Sequence, residues 1–411
     1  MESFNTLAQR FVARQPILDL EHNIYGYELL FRSGLQNYFD FPDQDEAANR
    51  LIANSFLLFG VEELTGGAKA FVNFTHETLT KDFGTVLPPQ FTVIEILETV
   101  AAAPETRQAC ERLKKLGFTL ALDDFVYRPE LEPLLNLADI IKVDVLATTA
   151  AQQLEMAQKL LPRGKILLAE KVETQEVFER TKAMGYTLFQ GYFFCRPVIL
   201  TRKDIPTFKM HYLRLLQQVH DPEMDFQNLA RTIRNEISIS YKLLKYINSA
   251  AFALRHKVGS IEQALALLGE KDIKTWVSLL TLTGMAEDKP SELVVCSLIR
   301  ARACELLAPL MHLEDRRSEL FLMGLFSLLD AILDRPLEEV LAEIPMAQDV
   351  RTALLGVSGK LREYLDLVVA LERGDWKNLM RICTDLKLAE ASIPSLYIGA
   401  MRWADSLFAE N

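Results

Sequence analysis

Between Phe11 and about Arg202 the chain alternates short β-rich apolar runs with amphipathic helical stretches, and no other feature restricts its folding so tightly. The runs are KAFVNF (69–74), FTVIEIL (91–97), FTLALDD (118–124), DIIKVDV (139–145), KILLAE (165–170) and YTLFQGY (186–192). Helical patterns such as DEAANRLIANSFLLFG, ETRQACERLKKLG and TQEVFERTKAMG surround them, the last two stopping at a glycine as helices often do. Continuous apolar strands separated by helices specify a parallel sheet covered on both faces. So many repeats in so short a stretch predict a closed (β/α) barrel. The first segment departs from the pattern: RQPILDLEHNIYGYELLF (14–31) reads as two strands joined by a turn around Glu21 to Asn23, so the first strand is expected to be antiparallel.

After Arg202 the β pattern stops. FQNLARTIRNEI, SISYKLLKYINSA, SIEQALALLG, LVVCSLIRARACELLAPLM and SELFLMGLFSLLDAIL repeat apolar residues three and four apart, which predicts an all-α second domain. The division expected from the sequence is a barrel domain over 1–201 and a helical domain over 202–411, within a length that suits two cores.

The net charge of −11 argues against a general nucleic-acid or anionic-membrane surface, because those contacts need clustered lysine and arginine. Cys110, Cys195, Cys296, Cys304 and Cys383 form no CxxC pair and are odd in number, so they read as reduced core residues. No apolar run has the length of a signal peptide or of a bilayer span, so a cytoplasmic protein is expected.

Each strand carries a polar residue inside or just past its C-terminal end: Glu28, Asn73, Glu95, Asp123 with Asp124, Lys142, Glu170 and Gln190. From Asn73 onward the separations are 22, 28, 19, 28 and 20 residues, about one βα unit each. In a (β/α) barrel these ends converge on one mouth, where active sites are built. Taken singly, any of these carboxylates could cap a loop or pair with a neighbouring cation. Five in one mouth would repel one another unless cations were present. Oxygen ligands without histidine suit Mg²⁺ or Mn²⁺, and an adjacent aspartate pair can bridge two such ions for phosphoester cleavage. Lys142 is placed to polarise the water or a phosphoryl oxygen.

These residues resemble the EAL domain of cyclic di-GMP phosphodiesterases. RQPI with GYELLFR is similar to its opening strands, FVNFT to its asparagine strand, IEILE to its ExxE segment and LDDF to its aspartate pair. IIKVD resembles its lysine strand, LAEKVE its AEGVE segment and QGYFFCRP its closing QGY..RP, so the likeness covers about residues 11 to 200. The resemblance implies that Glu28, Asn73, Glu95 and Asp123 hold one metal and that Asp124 reaches a second. It further implies that Lys142 assists the nucleophilic water, that Glu170 and Gln190 complete the water and metal shell, and that Arg32 and Gln190 serve substrate binding. Glu98 would anchor the loop after Asp124, and the reaction would be hydrolysis of cyclic di-GMP to linear pGpG.

Three positions depart from the family pattern. Leu29 replaces the alanine of the EAL tripeptide, DFVYRPELEP stands where a glycine-containing DFGTGYSS loop is usual, and Lys171 replaces the glycine of AEGVE. Valine, tyrosine and proline restrict backbone angles that glycine supplies, so the loop is expected to take another shape and to weaken catalysis. The helical half resembles the HDOD domain, a relative of HD phosphohydrolases that lacks their metal ligands. Its His220-Asp221 dipeptide reads as a turn feature, and Ser327-Leu328 stands where an HD enzyme would show a second ligand pair. Two functions remain open: a slow phosphodiesterase, or a catalytically inactive cyclic di-GMP receptor or scaffold acting through the helical domain and its protein partner. A homodimer is also left open.

Overall fold

The computed structural model describes residues 10–33, 64–81, 87–193, 207–235, 237–248, 257–389 and 392–407. They fall into two compact units, residues 1–196 together with 366–411, and residues 197–365. In the first, eight strands close into a barrel in sequence order: β1 (Arg10–Leu18), β2 (Ile24–Ser33), β3 (Lys69–Phe74), β4 (Thr92–Ile96), β5 (Thr119–Leu122), β6 (Ile140–Asp144), β7 (Ile166–Glu170) and β8 (Leu188–Gln190). β1 is antiparallel to both β2 and β8, and the other pairs are parallel. The fold is therefore the (β/α) barrel with a reversed first strand that the sequence predicts. The reversal is held by the Asp19 carboxylate, which accepts the backbone N–H groups of Glu21 and Asn23 at 3.0 and 2.8 Å.

The barrel interior is layered by the two-residue period of its strands. Ile17, Phe71, Val93, Ala121, Ile140, Leu168 and Leu188 pack together as one apolar layer. Two residues beyond six of them, on the same inward side and nearer the strand C-termini, come Asn73, Glu95, Asp123, Lys142, Glu170 and Gln190. On β2 the residue two before Glu28 is Gly26. A Cβ there would lie 2.6 Å from the Lys69 carbonyl oxygen and 2.9 Å from the Phe71 ring, so the absent side chain leaves room for Phe71 in the layer.

β1 is joined to β2 by a tight turn instead of a helix, and the helix Ile393–Ser406 packs against it. Arg14, on the face of β1 opposite Gln15, is 4% exposed and grips Asp405 with two hydrogen bonds of 2.8 and 2.9 Å. Its guanidinium also lies 4.5 Å over the Tyr27 ring. Periodicity groups residues 366–411 with the helical half, whereas their packing lies with the barrel unit.

The described part of the second unit is helical, as expected, with Thr207–His220, Phe226–Asn235, Ile237–Ile247 and Ile261–Met285 surrounding a core of Leu215, Ile233, Leu243, Leu265, Ile273 and Val277. Gly269, at φ 73, breaks the longest segment into two helices. Cys110, Cys296, Cys304 and Cys383 are buried thiols, while Cys195 lies outside the described residues. Burial pushes the Cys110 and Cys304 thiols up to about 11 and about 12, which keeps them protonated packing groups. Among the described residues no helix is long and apolar enough to cross a membrane.

Candidate functional site

Lys142 points from β6 into the centre of the mouth and is fully buried. Its Nζ lies 2.6 Å from Glu95, 2.7 Å from Asp123, 2.9 Å from Glu170 and 3.3 Å from Glu28. Burial alone would strip the ammonium of its proton, but the charges of Glu28, Glu95, Glu170 and Asp123 reverse that and hold it far above its ordinary value. One cation thus serves carboxylates from four other strand ends.

The carboxylates respond unequally. For Glu28, burial works upward, yet the charge of Lys142 and hydrogen bonds from Gln190 and Asn73 bring it below the ordinary range. Those bonds measure 2.7 Å from Gln190 Nε2 and 3.1 Å from Asn73 Nδ2. For Glu95, burial and the charge of Glu28 prevail over Lys142 and push the carboxyl well up. Asp123 is raised mainly by burial. Glu170, buried beside Lys142, is pushed up to about 7.

Several oxygens of this ring lack a donor. Asn73 Oδ1, Glu95 Oε2, Glu170 Oε2 and Gln190 Oε1 are buried without a hydrogen-bond partner, and Glu95 Oε1 lies near Lys142 outside hydrogen-bond geometry. Buried acceptors without donors are costly, and a cation is the group that satisfies them together. The donor set is all oxygen, so the residues present fit a hard divalent ion. Among the described residues no group of three or more His, Cys, Asp or Glu is arranged to hold a metal ion, and the Lys142 ammonium stands among the carboxylates.

Asp124 does not join the ring. It has φ 40, lies just past β5, and its Oδ1 is buried without a hydrogen bond. The following backbone N–H, that of Phe125, donates to the Lys142 carbonyl at 2.9 Å, and the chain then leads to a short 3₁₀ turn at Pro129–Leu131. Val126 and Tyr127 are exposed and avoid left-handed angles, so the strain of this loop falls on Asp124. Glu98 borders a cavity of about 30 Å³ with Asp123, Asp124 and Val126, and is exposed. Arg32 is on β2, but its side chain lies outside the described residues.

Two mouth residues escape the strand-end reading. Gln15 accepts from Gln190 Nε2 at 3.0 Å and donates to the Arg373 carbonyl at 3.0 Å. Its signal was its pairing: on an antiparallel strand the mouth lies at the beginning, two residues before Ile17 of the apolar layer. Asp144, two residues after Lys142, bonds Lys171 and accepts the N–H groups of Leu146 and Ala147 at 2.7 and 2.9 Å.

In the helical unit His220 ends the helix Thr207–His220 instead of lying in a turn. Its ring is within 2.9 Å of Ser278 Oγ and edge-on to Phe326, while the Asp221 carboxylate accepts the Glu223 N–H at 2.9 Å. The two side chains of the dipeptide thus serve different partners. His220 borders a cavity of about 820 Å³ that also reaches Lys274, Leu322 and Arg351.

Barrel and helical unit together define a two-domain protein of EAL type: residues 69–197 match the EAL domain family and residues 205–345 the HDOD domain family. The chain is 36% identical to the cyclic di-GMP phosphodiesterase CdgJ of Vibrio cholerae over 98% of this chain and 94% of that one. It is 37% identical to the uncharacterized protein YuxH of Bacillus subtilis over 97% and 98%. The chain belongs to the family in which an EAL domain is followed by an HDOD domain. Among solved structures, BlrP1 of Klebsiella pneumoniae in complex with calcium and cyclic di-GMP is 24% identical, with a TM-score of 0.40, over 46% of this chain and 55% of that one. An EAL domain protein from Listeria monocytogenes is 22% identical, with a TM-score of 0.37, over 46% and 87%.

Proposed function

We propose that the barrel hydrolyses cyclic di-GMP to linear pGpG, slowly, with Mg²⁺ or Mn²⁺ held by Glu28, Asn73, Glu95 and Asp123. The observation that carries this reading is the buried ring of oxygens left without donors in the mouth. The substrate is the one that the name of the Vibrio cholerae relative states for that protein. When bound, the ion supplies Lewis-acid stabilisation of charge on a phosphoryl oxygen. The remaining chemistry falls to side chains. Glu170, titrating near neutrality, accepts a proton from the attacking water. Lys142 stays an ammonium and so acts as a donor and counter-charge, not as a base. Water adds to one phosphorus, the P–O3′ bond breaks, and the 3′ oxygen leaves as a hydroxyl after taking up a proton. Arg32 and Gln190 bind the substrate in this reading, and Glu98 steadies the loop after Asp124.

A receptor that binds the dinucleotide without cleaving it is favoured by one feature, the Lys142 ammonium already seated among the metal ligands. The helical unit carries no reaction in either reading and docks a protein partner, and the protein works in the cytoplasm. Purified protein titrated with cyclic di-GMP in Mg²⁺ and in Mn²⁺ separates the readings. Metal-dependent pGpG release that Glu28→Ala lowers by about 100-fold or more is expected of the enzyme. Binding without release establishes the receptor, and neither binding nor release overturns both.

A further inference from the structure

Lys171 occupies a position where an L-residue is strained. Its φ is 56, in the left-handed region, which crowds the Cβ of any L-residue against the backbone. At this strained position, immediately after β7, the chain carries a long cation, and the cation is aimed. Lys171 Nζ bonds Asp144 Oδ2 and lies 3.7 Å from Asp124 Oδ1. Asp144 is itself fixed by two backbone N–H groups, so it holds the ammonium in place beside Asp124. The Lys171 side chain is half exposed, and an exposed ion pair adds little stability. Its consequence lies instead with the neighbouring carboxylate.

An aspartate pair serves two divalent ions when each member is free to ligate one. Here Asp123 turns to Lys142 in the ring, and Asp124 turns out to Lys171. The buried Asp124 Oδ1 has no hydrogen-bond partner among the described residues, and the Lys171 ammonium stands beside it. A divalent ion bound to that oxygen would stand beside a fixed positive charge and be repelled by it. We propose that Lys171 takes the place of a second divalent ion, so that each barrel binds one ion and not two. This rests on the reading of the mouth as a metal site, and it names which half of a two-ion site the chain has replaced.

The test is Mn²⁺ stoichiometry on the full chain, by calorimetric titration and by electron paramagnetic resonance, without substrate. Wild-type protein is expected to bind one Mn²⁺ with the six-line spectrum of an isolated ion. Lys171→Gly and Lys171→Met should each bind a second, with the spectrum broadened by spin coupling. The methionine variant keeps the side chain's length and backbone strain while removing the charge, so a gain confined to the glycine variant overturns the proposal. Two coupled ions in the wild type, or one ion in all three proteins, overturns it as well. No Mn²⁺ in any of the three removes the metal site itself, an outcome distinct from the others.

Discussion

Lys142 in the barrel and His220 in the helical unit are both nitrogen bases enclosed by protein, and their surroundings drive them to opposite charge states. Four carboxylates stand around Lys142, and their charges overcome the burial that would neutralise it. His220 faces a hydroxyl and an aromatic ring, and the charge that reaches it is the like charge of Lys274, so burial carries it down to about 4. Enclosure alone therefore says nothing about whether a group works as a charge. The counter-charges around it decide.

The most forceful way to break this contrast is to remove the ammonium. Lys142→Met leaves the ring of carboxylates without its counter-charge and is expected to lower stability at pH 8 by about 3–5 kcal/mol, as breaking a buried ion pair does. Millimolar Mn²⁺ should return much of that loss. Urea unfolding of wild type and variant, with and without the ion, measures both, and an unchanged midpoint would show that Lys142 is not what neutralises the ring.

Acid sharpens the contrast. The unfolded His220 takes a proton below about 6.5 and the folded one only below about 4, so its contribution is complete above 6.5 and is lost as the pH falls toward 4. The span between those values corresponds to about 3 kcal/mol. For Glu170 the folded value of about 7 lies above the ordinary 4.5, so its contribution has the other sign: present below 4.5 and lost as the pH rises through 7. His220→Gln should therefore flatten the acid limb of a stability profile and Glu170→Gln the neutral limb. Identical profiles for the two variants would erase the distinction.

A smaller effect is expected from Asp405→Ala, which removes the carboxylate paired with the Arg14 guanidinium and should cost the barrel unit about 2 kcal/mol. An apolar pair, Arg14→Met with Asp405→Leu, should recover most of it in the same unfolding experiment. Failure to recover would mean that the two groups do more than neutralise each other.

Much of the mouth was legible because a barrel strand has a period of two and a fixed direction. Val93 and Glu95, or Ile140 and Lys142, can be read as a core residue followed by a site residue without any other information. The antiparallel strand inverts that rule, so Gln15 is not legible as a mouth residue from strand-end position. Lys142 was legible as a site residue, whereas its place at the centre of the carboxylates depends on side-chain reach that no spacing contains. The packing of 366–411 was not legible either. An amphipathic helix announces that it has an apolar face but not which surface covers it, and Asp405 gives no sign of a partner 391 residues earlier.

That long-range pairing has a consequence for synthesis. The helical unit is an insertion in the barrel unit's chain, so the barrel unit's last helices leave the ribosome after the helical unit. At ordinary translation rates the stretch from 197 to the end takes about 10 to 40 s to emerge, and for that time β1 and Arg14 must wait without the helix that packs on them. A nascent chain stopped after residue 365 has a complete helical unit and an unfinished barrel. Ribosome stalling late in the message would therefore damage the older part of the polypeptide and spare the younger.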